Sequence, residues 1–450
     1  MLKIELIREK PEWIKEQVAN LNDVAPIDEI LEEDRRRREI IQTVEVLRQQ
    51  RNKASKEIGH WMGSLKRLEK YLRYEDGSDD QSAVEELEQL KRSIEMSKTE
   101  TRDVGQQIAL LDDELREVET RLHEYMLWVP NLPHSSVVVG PSEDFNLIHE
   151  PVGVPLPVFD FDPKPHWDIG PELNIIDFER GVKLSGTRFY LLKGKGALLQ
   201  RALIQFMLNY HTIEHGYEEI SPPFMVRSEM FVGAAQLPKF RHNIYRDAEE
   251  DFMWLGTAEI ALTNIHRDEI LEEEDLPLNY VAYTPCFRRE KMSAGRDVRG
   301  IKRGHQFDKV EMYKFTTPEK SYEALEELLR HASAICDALE LSYRLVEMAT
   351  GDLGFAAAKK YDLELWAAGC QEWLEISSLS NCESFQARRA NIRYRPSDGG
   401  RPRYVHTLNG SGLALPRLMI ALIENNQRED GSVVVPEVLR PYMGGLEVIE

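Results

Sequence analysis

The feature that most constrains this chain is a heptad pattern that runs through residues 27–126. Apolar residues recur there at alternating steps of four and three, over positions 40–72 and again over positions 87–122. Arg51 is the only polar break in the first of these runs. Because such a seam keeps one face of a helix against a partner helix, the pattern predicts a coiled coil.

A short polar segment separates the two heptad runs. Tyr74–Ser82, YEDGSDDQS, has the composition of a turn. We therefore predict an antiparallel hairpin whose helices are on the order of 60 Å long, at about 1.5 Å of rise per residue. In this register Trp61 faces Ser97 and Ile58 faces Thr101, so that large side chains meet small ones.

The charge of the predicted hairpin is lopsided. Asp34–Arg73 carries twelve Lys and Arg against five Asp and Glu, whereas Ser82–Glu124 carries six against twelve. One interpretation is that the two helices pair their charges internally. The other is that the basic helix contacts a phosphate backbone. The hairpin alone leaves both open.

The rest of the chain predicts a linker followed by an α+β domain. We divide the chain into an N-terminal helical domain at 1–128, a Pro-rich extended linker at 129–172 and a catalytic domain at 173–450. In the last of these, strand-like and helix-like stretches alternate without a regular βαβ period, which favours a mainly antiparallel sheet flanked by helices. WLGTAEIAL is interpreted as a strand, and SGLALPRLMIALIENNQ as a helix opened by Gly and Ser.

Composition excludes several classes of function. The formal net charge of -21 disfavours indiscriminate DNA binding, and no apolar run is long enough to span a membrane. The N-terminus lacks the pattern of a secretory signal, so a cytoplasmic protein is expected. The four cysteines form no C-x-x-C pair, which predicts free thiols and no structural zinc. Neither GxGxxG nor GxxxxGK[ST] is present, so side chains must hold the phosphates of any nucleotide.

One segment of this acidic chain is strongly basic. Within Phe287–Arg303 the cations are Arg288, Arg289, Lys291, Arg296, Arg299, Lys302 and Arg303. Arg288 follows an apolar strand, and a second strand begins near Phe307. We predict a hairpin with these two residues at its roots, able to clamp an anion and to stack a base. The alternative, a solvated loop with surplus arginine, fits the charge density less well.

Polar residues also stand within apolar strand-like stretches. Thr257 and Glu259 alternate, Glu311 lies in KVEMYKF, and Glu375 lies near two serines in EWLEISSLSN. A lone buried Glu is usually paired with a structural Arg. Several such groups together predict a site for an ammonium group and a divalent cation beside phosphates. No arrangement typical of a Ser–His–Asp hydrolase is evident.

At this point the sequence resembles the bacterial-type seryl-tRNA synthetases, which are class II aminoacyl-tRNA synthetases. The resemblance covers nearly the whole chain. It rests on the coiled-coil arm, on GYEEISPPFMV, GTAE, FRRE…SAGRDVRG…RGHQFDKVEM, TGDLGFAAAKKYDLE and EISSLSNCESFQARR, and on HTLNGSGLALPR. Each motif alone is weak, but the ordered set is highly specific.

The resemblance implies a serine–tRNA ligase and a role for particular residues. It implies serine binding by Thr257, Ala258, Glu259, Arg288, Glu311, Asn409 and Ser411. It implies ATP binding by Arg288, Arg289, Glu290, Gly304, Phe307, Glu375, Ile376, Ser377, Ser378 and Arg417. Arg288 and Arg417 are the implied catalytic residues, and Glu375 and Ser378 are the implied Mg²⁺ ligands.

The resemblance also implies partners. These are ATP, L-serine, a second copy of the chain in a homodimer, and tRNA(Ser), with tRNA(Sec) as a further substrate; neither DNA nor a membrane is implied. Binding of tRNA falls to the coiled-coil arm, through Arg35, Arg36, Arg48, Arg51 and Lys53. Two rivals predict other properties. A ligase that charges a carrier protein would have no use for the long arm, and a non-catalytic RNA-binding scaffold would lack the pocket residues.

Overall fold

The computed structural model of the chain describes residues 1–74, 80–291 and 299–450. Its helices are α1 Ile4–Glu9, α2 Pro11–Asn20, α3 Ile27–Tyr74, α4 Gln81–Met126, α5 His166–Glu172, α6 Phe178–Ser185, α7 Lys195–Ile213, α8 Ser228–Gly233, α9 Glu259–Thr263, α10 Ser321–Ala338, α11 Phe385–Ala390 and α12 Leu415–Asn425. Its strands are β1 Leu147–Ile148, β2 Val152–Gly153, β3 Ile176–Asp177, β4 Leu191–Leu192, β5 Glu218–Glu219, β6 Met225–Val226, β7 Met253–Trp254, β8 Ile270–Glu272, β9 Leu278–Phe287, β10 Gln306–Thr316, β11 Ser342–Glu347, β12 Lys359–Ala367, β13 Glu372–Asn381, β14 Arg393–Arg395, β15 Arg403–Tyr404, β16 His406–Ala414, β17 Val433–Val434 and β18 Val448–Ile449.

The chain divides into two compact units. One, called the arm below, comprises residues 26–126; the other, called the large unit, comprises residues 1–25 together with 127–450. The division of the sequence at 128 and 172 stays a prediction about domain organisation. None of the helices in the described residues is long and apolar enough to cross a membrane.

The arm is the predicted coiled-coil hairpin. Every heptad position of α3 and α4 is buried or half-buried, and Ile40, Val44, Ile108 and Val118 form the centre of the seam. Ion pairs join the start of α3 to the end of α4, as in an antiparallel pair. Most of the predicted turn, residues 75–79, lies outside the described residues, and the predicted contacts of Trp61 and Ile58 stay predictions.

A large sheet organises the large unit. Its strand order is β1-β11-β12-β13-β16-β10-β9-β5, with β2 paired to β11. Its pairs are antiparallel except β5 with β9. Side chains of α7, α10 and α12 pack with those of the sheet in one core of largely inaccessible aliphatic residues. The α+β class with a mainly antiparallel sheet is therefore confirmed.

Three local predictions were wrong. WLGTAEIAL is not a strand, because β7 ends at Trp254 and the hydroxyl of Thr257 accepts the Glu259 N–H at 3.2 Å, where α9 begins. The motif beginning SGLAL does not open a helix with Gly and Ser: those residues belong to β16, and α12 starts at Leu415, with a proline in its first turn. The linker is not extended throughout, since α5 occupies its end.

Candidate active site

A cavity of about 520 Å³ lies in the large unit beside β9, β10, β13 and β16. Most of the predicted site residues line it: Thr257, Glu259, Arg288, Glu290, Gly304, Phe307, Glu311, Glu375, Ile376, Ser378, Asn409, Ser411 and Arg417. They come from segments as far apart as residues 257 and 417, so the fold brings together what the sequence keeps separate. In particular, the two predicted catalytic arginines line the same cavity.

The predicted basic hairpin is present, with Arg288 at one root. β9 and β10 pair so that Phe307 lies opposite Cys286. The Arg288 guanidinium carbon lies 5.2 Å from the centre of the Phe307 ring, and Arg288 Nε donates to the carbonyl of Gly256 at 3.1 Å. These two contacts orient the guanidinium over the cavity. Residues 292–298 of this hairpin, including Arg296, lie outside the described residues.

The second arginine, Arg417, lies in the first turn of α12. Its Nη1 donates to the carbonyl of Glu375 at 2.7 Å and lies 3.4 Å from Oε2 of the same residue. Its Nε donates to the carbonyl of Lys302 at 3.4 Å. A bulge in β16, marked by a register shift and by Leu413 at a φ of 119°, precedes the helix. Positive φ at a bulky non-glycine residue is strained, and such strain is common near active sites.

A polar cluster occupies one wall of the cavity. Glu311, on β10, is fully buried and lies opposite Ser411 of β16. Its carboxylate accepts from the hydroxyl of Thr257 at 3.2 Å and contacts the ammonium of Lys309, which also donates to Thr257 at 2.8 Å. The other carboxylate oxygen of Glu311 is buried without a hydrogen-bond partner. A buried acceptor of this kind can recognise a hydroxyl group that donates to it.

Glu259 lies at the same wall and titrates abnormally. Its carboxylate accepts from the side-chain amide of Gln386 at 2.6 Å. Burial and the neighbouring carboxylate of Glu311 raise the pKa of Glu259 to about 7, against the opposing effect of Lys309. Two carboxylates and one ammonium therefore share a small volume, and a further cation would be stabilised there.

Glu375 and Ser378 both line the cavity, although they lie three positions apart on one strand. Strict alternation would put them on opposite faces of β13. A register shift opposite Leu363 and Glu364 inserts Ile376 as an extra residue, and this bulge places both side chains on the cavity side.

Neighbouring cations keep the carboxyl of Glu375 ionised, which is the form that can bind a metal ion. Burial raises its pKa, but Arg417, Lys360 and Arg288 outweigh that effect and hold the pKa below its usual value. Nearby on β12, burial raises the pKa of Asp362 to about 7, with Lys360 opposing. One carboxylate oxygen of Asp362 is buried and lacks a hydrogen-bond partner. Oxygen donors of this kind match the preference of Mg²⁺.

Three predicted residues do not line the cavity. Ala258 is fully buried in an apolar cluster, and the hydroxyl of Ser377 donates to the carbonyl of Ser411 at 2.5 Å. The guanidinium of Arg289 lies 5.7 Å from the ring centre of Tyr245. Their side chains therefore pack behind or beside the wall, where they can shape it.

Charged lining residues without a predicted site role include Lys309, Lys360 and Arg303, and Asp362 lies close to Glu375 and Ser378. Lys309 could have been found, because alternation along β10 places it on the same face as Phe307 and Glu311. In the same way Lys360 and Asp362 alternate along β12. Arg303, which donates to the Glu290 carboxylate at 3.1 Å, is the last cation of the basic segment but belongs to no strand pattern.

The arginines predicted to bind tRNA are in part paired within the arm. Arg36 contacts Glu114 at 2.5 Å, and Arg48 contacts Asp112 at 3.1 Å, across the hairpin. Arg35 pairs with Glu39 along α3 at 2.6 Å. Internal pairing thus accounts for part of the lopsided charge. Arg51 and Lys53 have no ion pair among the described residues.

The comparisons with known proteins define the class first. The profile of the tRNA synthetase class II core domain (G, H, P, S and T) matches residues 240–426, which include the residues that line most of the cavity. The chain therefore has the catalytic core of a class II aminoacyl-tRNA synthetase. The profile of the seryl-tRNA synthetase N-terminal domain matches residues 1–97.

The relatives narrow the class to one family. A serine--tRNA ligase of Roseiflexus sp. (strain RS-1) is 55% identical over 450 residues, which cover 100% of this chain and 99% of the relative. A crystal structure of seryl-tRNA synthetase from Pyrococcus horikoshii complexed with ATP has a TM-score of 0.87 at 36% identity, covering 100% of this chain and 99% of that one. A crystal structure of cytoplasmic serine-tRNA ligase from Naegleria fowleri in complex with AMP has a TM-score of 0.85 at 31% identity, and it covers 100% of this chain and 99% of that one. The chain belongs to the seryl-tRNA synthetase family, so its activity is that of an ATP-dependent serine–tRNA ligase.

Proposed function

We propose that serine and ATP bind side by side in the cavity, with Arg288 between them and Arg417 at the far side of the nucleotide. The observation that carries this proposal is the convergence of both arginines on the cavity that also contains Glu311 and Glu375. Serine carboxylate and ATP are both anionic and repel each other. Guanidinium groups offset this repulsion and hold the two reactants in line.

The serine half of the cavity would be the wall around Glu311. There Thr257 and Glu259 hold the serine ammonium, and Ala258 fixes the backbone between them. Glu311 accepts the serine hydroxyl, with Asn409 and Ser411 beside it. The buried oxygen of Glu311 without a partner supports this role, because alanine would leave it unpaired at a cost of about 1–3 kcal/mol.

The nucleotide half would lie along the basic hairpin. The adenine stacks on Phe307 with Arg417 opposite, as an aromatic ring and a guanidinium can sandwich a base. Glu290 and Gly304 contact the adenine side, while Arg288 binds the α-phosphate and Arg417 the γ-phosphate. Arg289, Ile376 and Ser377 complete the ATP site, the first and last by supporting the wall.

The reaction proceeds in two steps on this arrangement. The carboxylate oxygen of serine attacks the α-phosphorus, and the bond from that phosphorus to the pyrophosphate oxygen breaks, giving seryl-adenylate and pyrophosphate. A carboxylate is already deprotonated, so the step needs no strong protein base. A hydroxyl of the terminal adenosine of tRNA then attacks the seryl carbonyl, the bond from the carbonyl carbon to the phosphate oxygen breaks, and AMP leaves while the hydroxyl proton passes to the departing phosphate.

Glu375 and Ser378 would hold Mg²⁺. The depressed pKa of Glu375, the partnerless oxygen of Asp362 and the oxygen-only donor set all fit a hard divalent cation. When bound, the ion supplies positive charge to the ATP phosphates. Around it, Lys360 and Arg417 keep Glu375 ionised, and Ile376 holds the bulge that aims the ligands.

The arm would bind the acceptor RNA. Its basic helix offers Arg35, Arg36, Arg48, Arg51 and Lys53 to tRNA(Ser) and, by family resemblance, to tRNA(Sec). We infer that two copies of the chain pair as a homodimer, and that the enzyme works in the cytoplasm. Sedimentation at micromolar concentration tests the dimer.

The direct test is exchange of labelled pyrophosphate into ATP, followed by charging of total tRNA. Serine-dependent exchange, absent with alanine and threonine at equal concentration, is expected. Arg288→Ala and Arg417→Ala should each reduce exchange by at least 100-fold, whereas Arg330→Ala, on the helix α10, should not. Serine-independent exchange, or full activity of both variants, would refute the assignment of the cavity.

A further inference from the structure

His166 is a fully buried histidine that joins three segments of the large unit. Its backbone N–H donates to Oε1 of Glu424 at 2.9 Å, and its Nδ1 lies 2.7 Å from the same oxygen. Its Nε2 accepts the backbone N–H of Ile301 at 3.1 Å. Since a backbone N–H can only donate, the ring proton belongs on Nδ1, facing Glu424. One tautomer of the ring thus connects α12 to the segment after the basic hairpin.

Glu424 collects donors from a third segment. The backbone N–H of Cys370 donates to its Oε2 at 2.8 Å, and the thiol of Cys370 donates to its Oε1 at 3.0 Å. Burial raises the pKa of Glu424, but the hydrogen bonds from His166 and Cys370 outweigh it and keep the pKa below the usual value. The buried carboxylate therefore ties α5, α12 and the turn before β13 together.

These three side chains are also a possible metal-ligand set, because their donor atoms lie within 4.8 Å of one another. The short contacts, however, are hydrogen bonds in which each donor meets an acceptor. The remaining ring nitrogen of His166 is engaged by Ile301. The geometry is therefore that of a satisfied polar junction.

Gly300 shows how closely the hairpin end is fitted to the ring. Its φ is +73°, and a Cβ at this position would lie 2.0 Å from Nε2 of His166. A side chain there would force either the ring or the backbone to move. The preceding residue, Arg299, has its guanidinium carbon 4.7 Å from the ring centre of Trp167, which follows His166. Two successive residues of α5 thus contact the end of the hairpin.

The opposite side of the same segment is held by the start of α12. Arg417 and Glu424 are seven residues apart, so they lie on the same face of the helix. Arg417 donates to the carbonyl of Lys302, and Glu424 reaches Ile301 through His166. The segment between these two points continues directly into Arg303 and Gly304, which line the cavity.

We propose that His166 and Glu424 are positioning residues for the nucleotide half of the active site. They touch no substrate. They fix residues 300–304 against α12, and so fix the cavity wall relative to Arg417. This inference rests on the proposed assignment of Arg417, Gly304 and Phe307 to ATP. The serine half, around Glu311, is anchored independently through Thr257 and Lys309.

Two substitutions distinguish the two hydrogen bonds of the His166 ring, the one to Glu424 and the one from Ile301. His166→Asn keeps an N–H near the position of Nδ1 and removes the acceptor for Ile301. His166→Gln keeps an acceptor near Nε2 and removes the donor to Glu424. Gly300→Ala disturbs the same contact from the hairpin side. His149→Asn is the matched control, because this exposed histidine also binds a carboxylate, Glu347, at 3.1 Å.

The measurement is steady-state pyrophosphate exchange with KM determined separately for ATP and for serine. His166→Asn and Gly300→Ala should raise the KM for ATP at least tenfold while the KM for serine changes less than twofold, with the circular dichroism spectrum retained. The control should match wild type. A fall in kcat with both KM values unchanged, or an equal rise of both, would mean a merely structural role and would overturn the proposal.

A second measurement does not depend on the ATP assignment. Hydrogen exchange followed by mass spectrometry should be at least tenfold faster for peptides containing the Ile301 amide in His166→Asn than in wild type. An unchanged rate of hydrogen exchange would overturn the proposal that His166 holds the Ile301 amide. A different result would count against Arg417 alone. Hydrogen exchange would accelerate in His166→Asn and wild type would activate serine, but Arg417→Ala would leave the KM for ATP unchanged; the assignment of Arg417 to ATP binding would then be wrong.

Discussion

Lys309 and Glu311 occupy alternate positions on β10, and the ammonium of one contacts the carboxylate of the other inside the cavity. Both side chains are almost completely buried. A buried ion pair is costly to form and far more costly to break on one side only. The pair therefore couples two roles, since the lysine contacts the same carboxylate that is proposed to receive the serine hydroxyl.

Replacing Glu311 should impair serine activation without unfolding the chain. In Glu311→Gln the side chain keeps its shape, but the acceptor for the serine hydroxyl loses its charge. We expect the kcat/KM for serine to fall at least 100-fold, about 2.7 kcal/mol, in pyrophosphate exchange. Glu311→Ala should be at least as severe. Glu347→Gln, on β11 and outside the cavity lining, is the control; near wild-type exchange in both Glu311 variants would defeat the assignment.

Replacing Lys309 should weaken serine binding more than ATP binding. Lys309→Met keeps the length of the side chain and removes the charge that separates the carboxylates of Glu259 and Glu311. Since Thr257 also loses a donor, the KM for serine should rise at least tenfold and the KM for ATP less than threefold. Equal changes in the two constants would indicate a general disturbance of the cavity.

The role of Lys309 illustrates what the sequence does and does not reveal. The heptads specify the arm, and the apolar strands specify a hairpin with Arg288 and Phe307 at its roots, because both depend on short-range periodicity. Lys309 was missed although the same alternation places it beside Glu311. A lysine in a strand is usually solvent-facing, and only the fold shows that this face is covered.

Other features depend on contacts that no local pattern encodes. The bulge at Ile376 puts Glu375 and Ser378 on one face of β13, where strict alternation would put them on opposite faces, and it is visible only from the pairing with β12. The junction of His166 with Glu424 joins residues 258 positions apart. The sequence WLGTAEIAL predicts a strand, because alternation over five residues does not distinguish a strand from a turn that enters a short helix.

The raised pKa of Glu259 makes a prediction about pH. Below pH 7 this carboxyl is mostly protonated, and only the carboxylate attracts the serine ammonium. Binding of serine therefore lowers the pKa of Glu259 and releases a proton, so the KM for serine should rise up to tenfold per pH unit as the pH falls below about 7. The KM for ATP, measured over the same range, corrects for protonation of the nucleotide.

The control for this profile is Glu259→Gln, which cannot titrate. It should bind serine weakly, and its KM for serine should be flat between pH 6 and 8. The same sign applies to folding without ligand. A carboxyl whose pKa is raised in the folded state favours folding while protonated, so its contribution is lost as the pH rises from about 4.5 to about 7. A KM for serine that is constant through this range in wild type would contradict the role of Glu259.

Loss of the predicted metal ligands should change the requirement for Mg²⁺. Glu375→Gln removes a carboxylate that Arg417 and Lys360 keep ionised. Ser378→Ala removes the second oxygen that is proposed to bind Mg²⁺. Each should raise the Mg²⁺ concentration that gives half-maximal exchange at least fivefold, at fixed MgATP. Ser397→Ala, an exposed serine that donates to Glu273 outside the cavity, serves as the control. An unchanged requirement in both variants would place the ion elsewhere.

Shortening the arm should separate the two steps of the reaction. Glu33 and Arg121 contact at 2.8 Å, so a short Gly-Ser linker can replace residues 34–120 without straining the ends. Serine-dependent pyrophosphate exchange should stay within threefold of wild type, because the cavity lies wholly in the large unit. Charging of tRNA should fall at least 100-fold, because the basic helix that is proposed to contact the tRNA backbone is absent. Charging of tRNA at the wild-type rate would show that the arm is not needed to bind tRNA.

Charge reversal distinguishes the arginines of the arm that are paired from those that are not. Arg51→Glu combined with Lys53→Glu breaks no ion pair among the described residues, whereas Arg36→Glu also repels Glu114. If the basic helix contacts phosphates, the double variant should raise the KM for tRNA about tenfold and flatten its dependence on salt by roughly two units of slope, while the melting temperature stays constant. Arg36→Glu should lower the melting temperature as well. If the double variant leaves the KM for tRNA and its salt dependence unchanged, Arg51 and Lys53 contact no phosphate. The excess positive charge of α3 would then serve ion pairing within the hairpin.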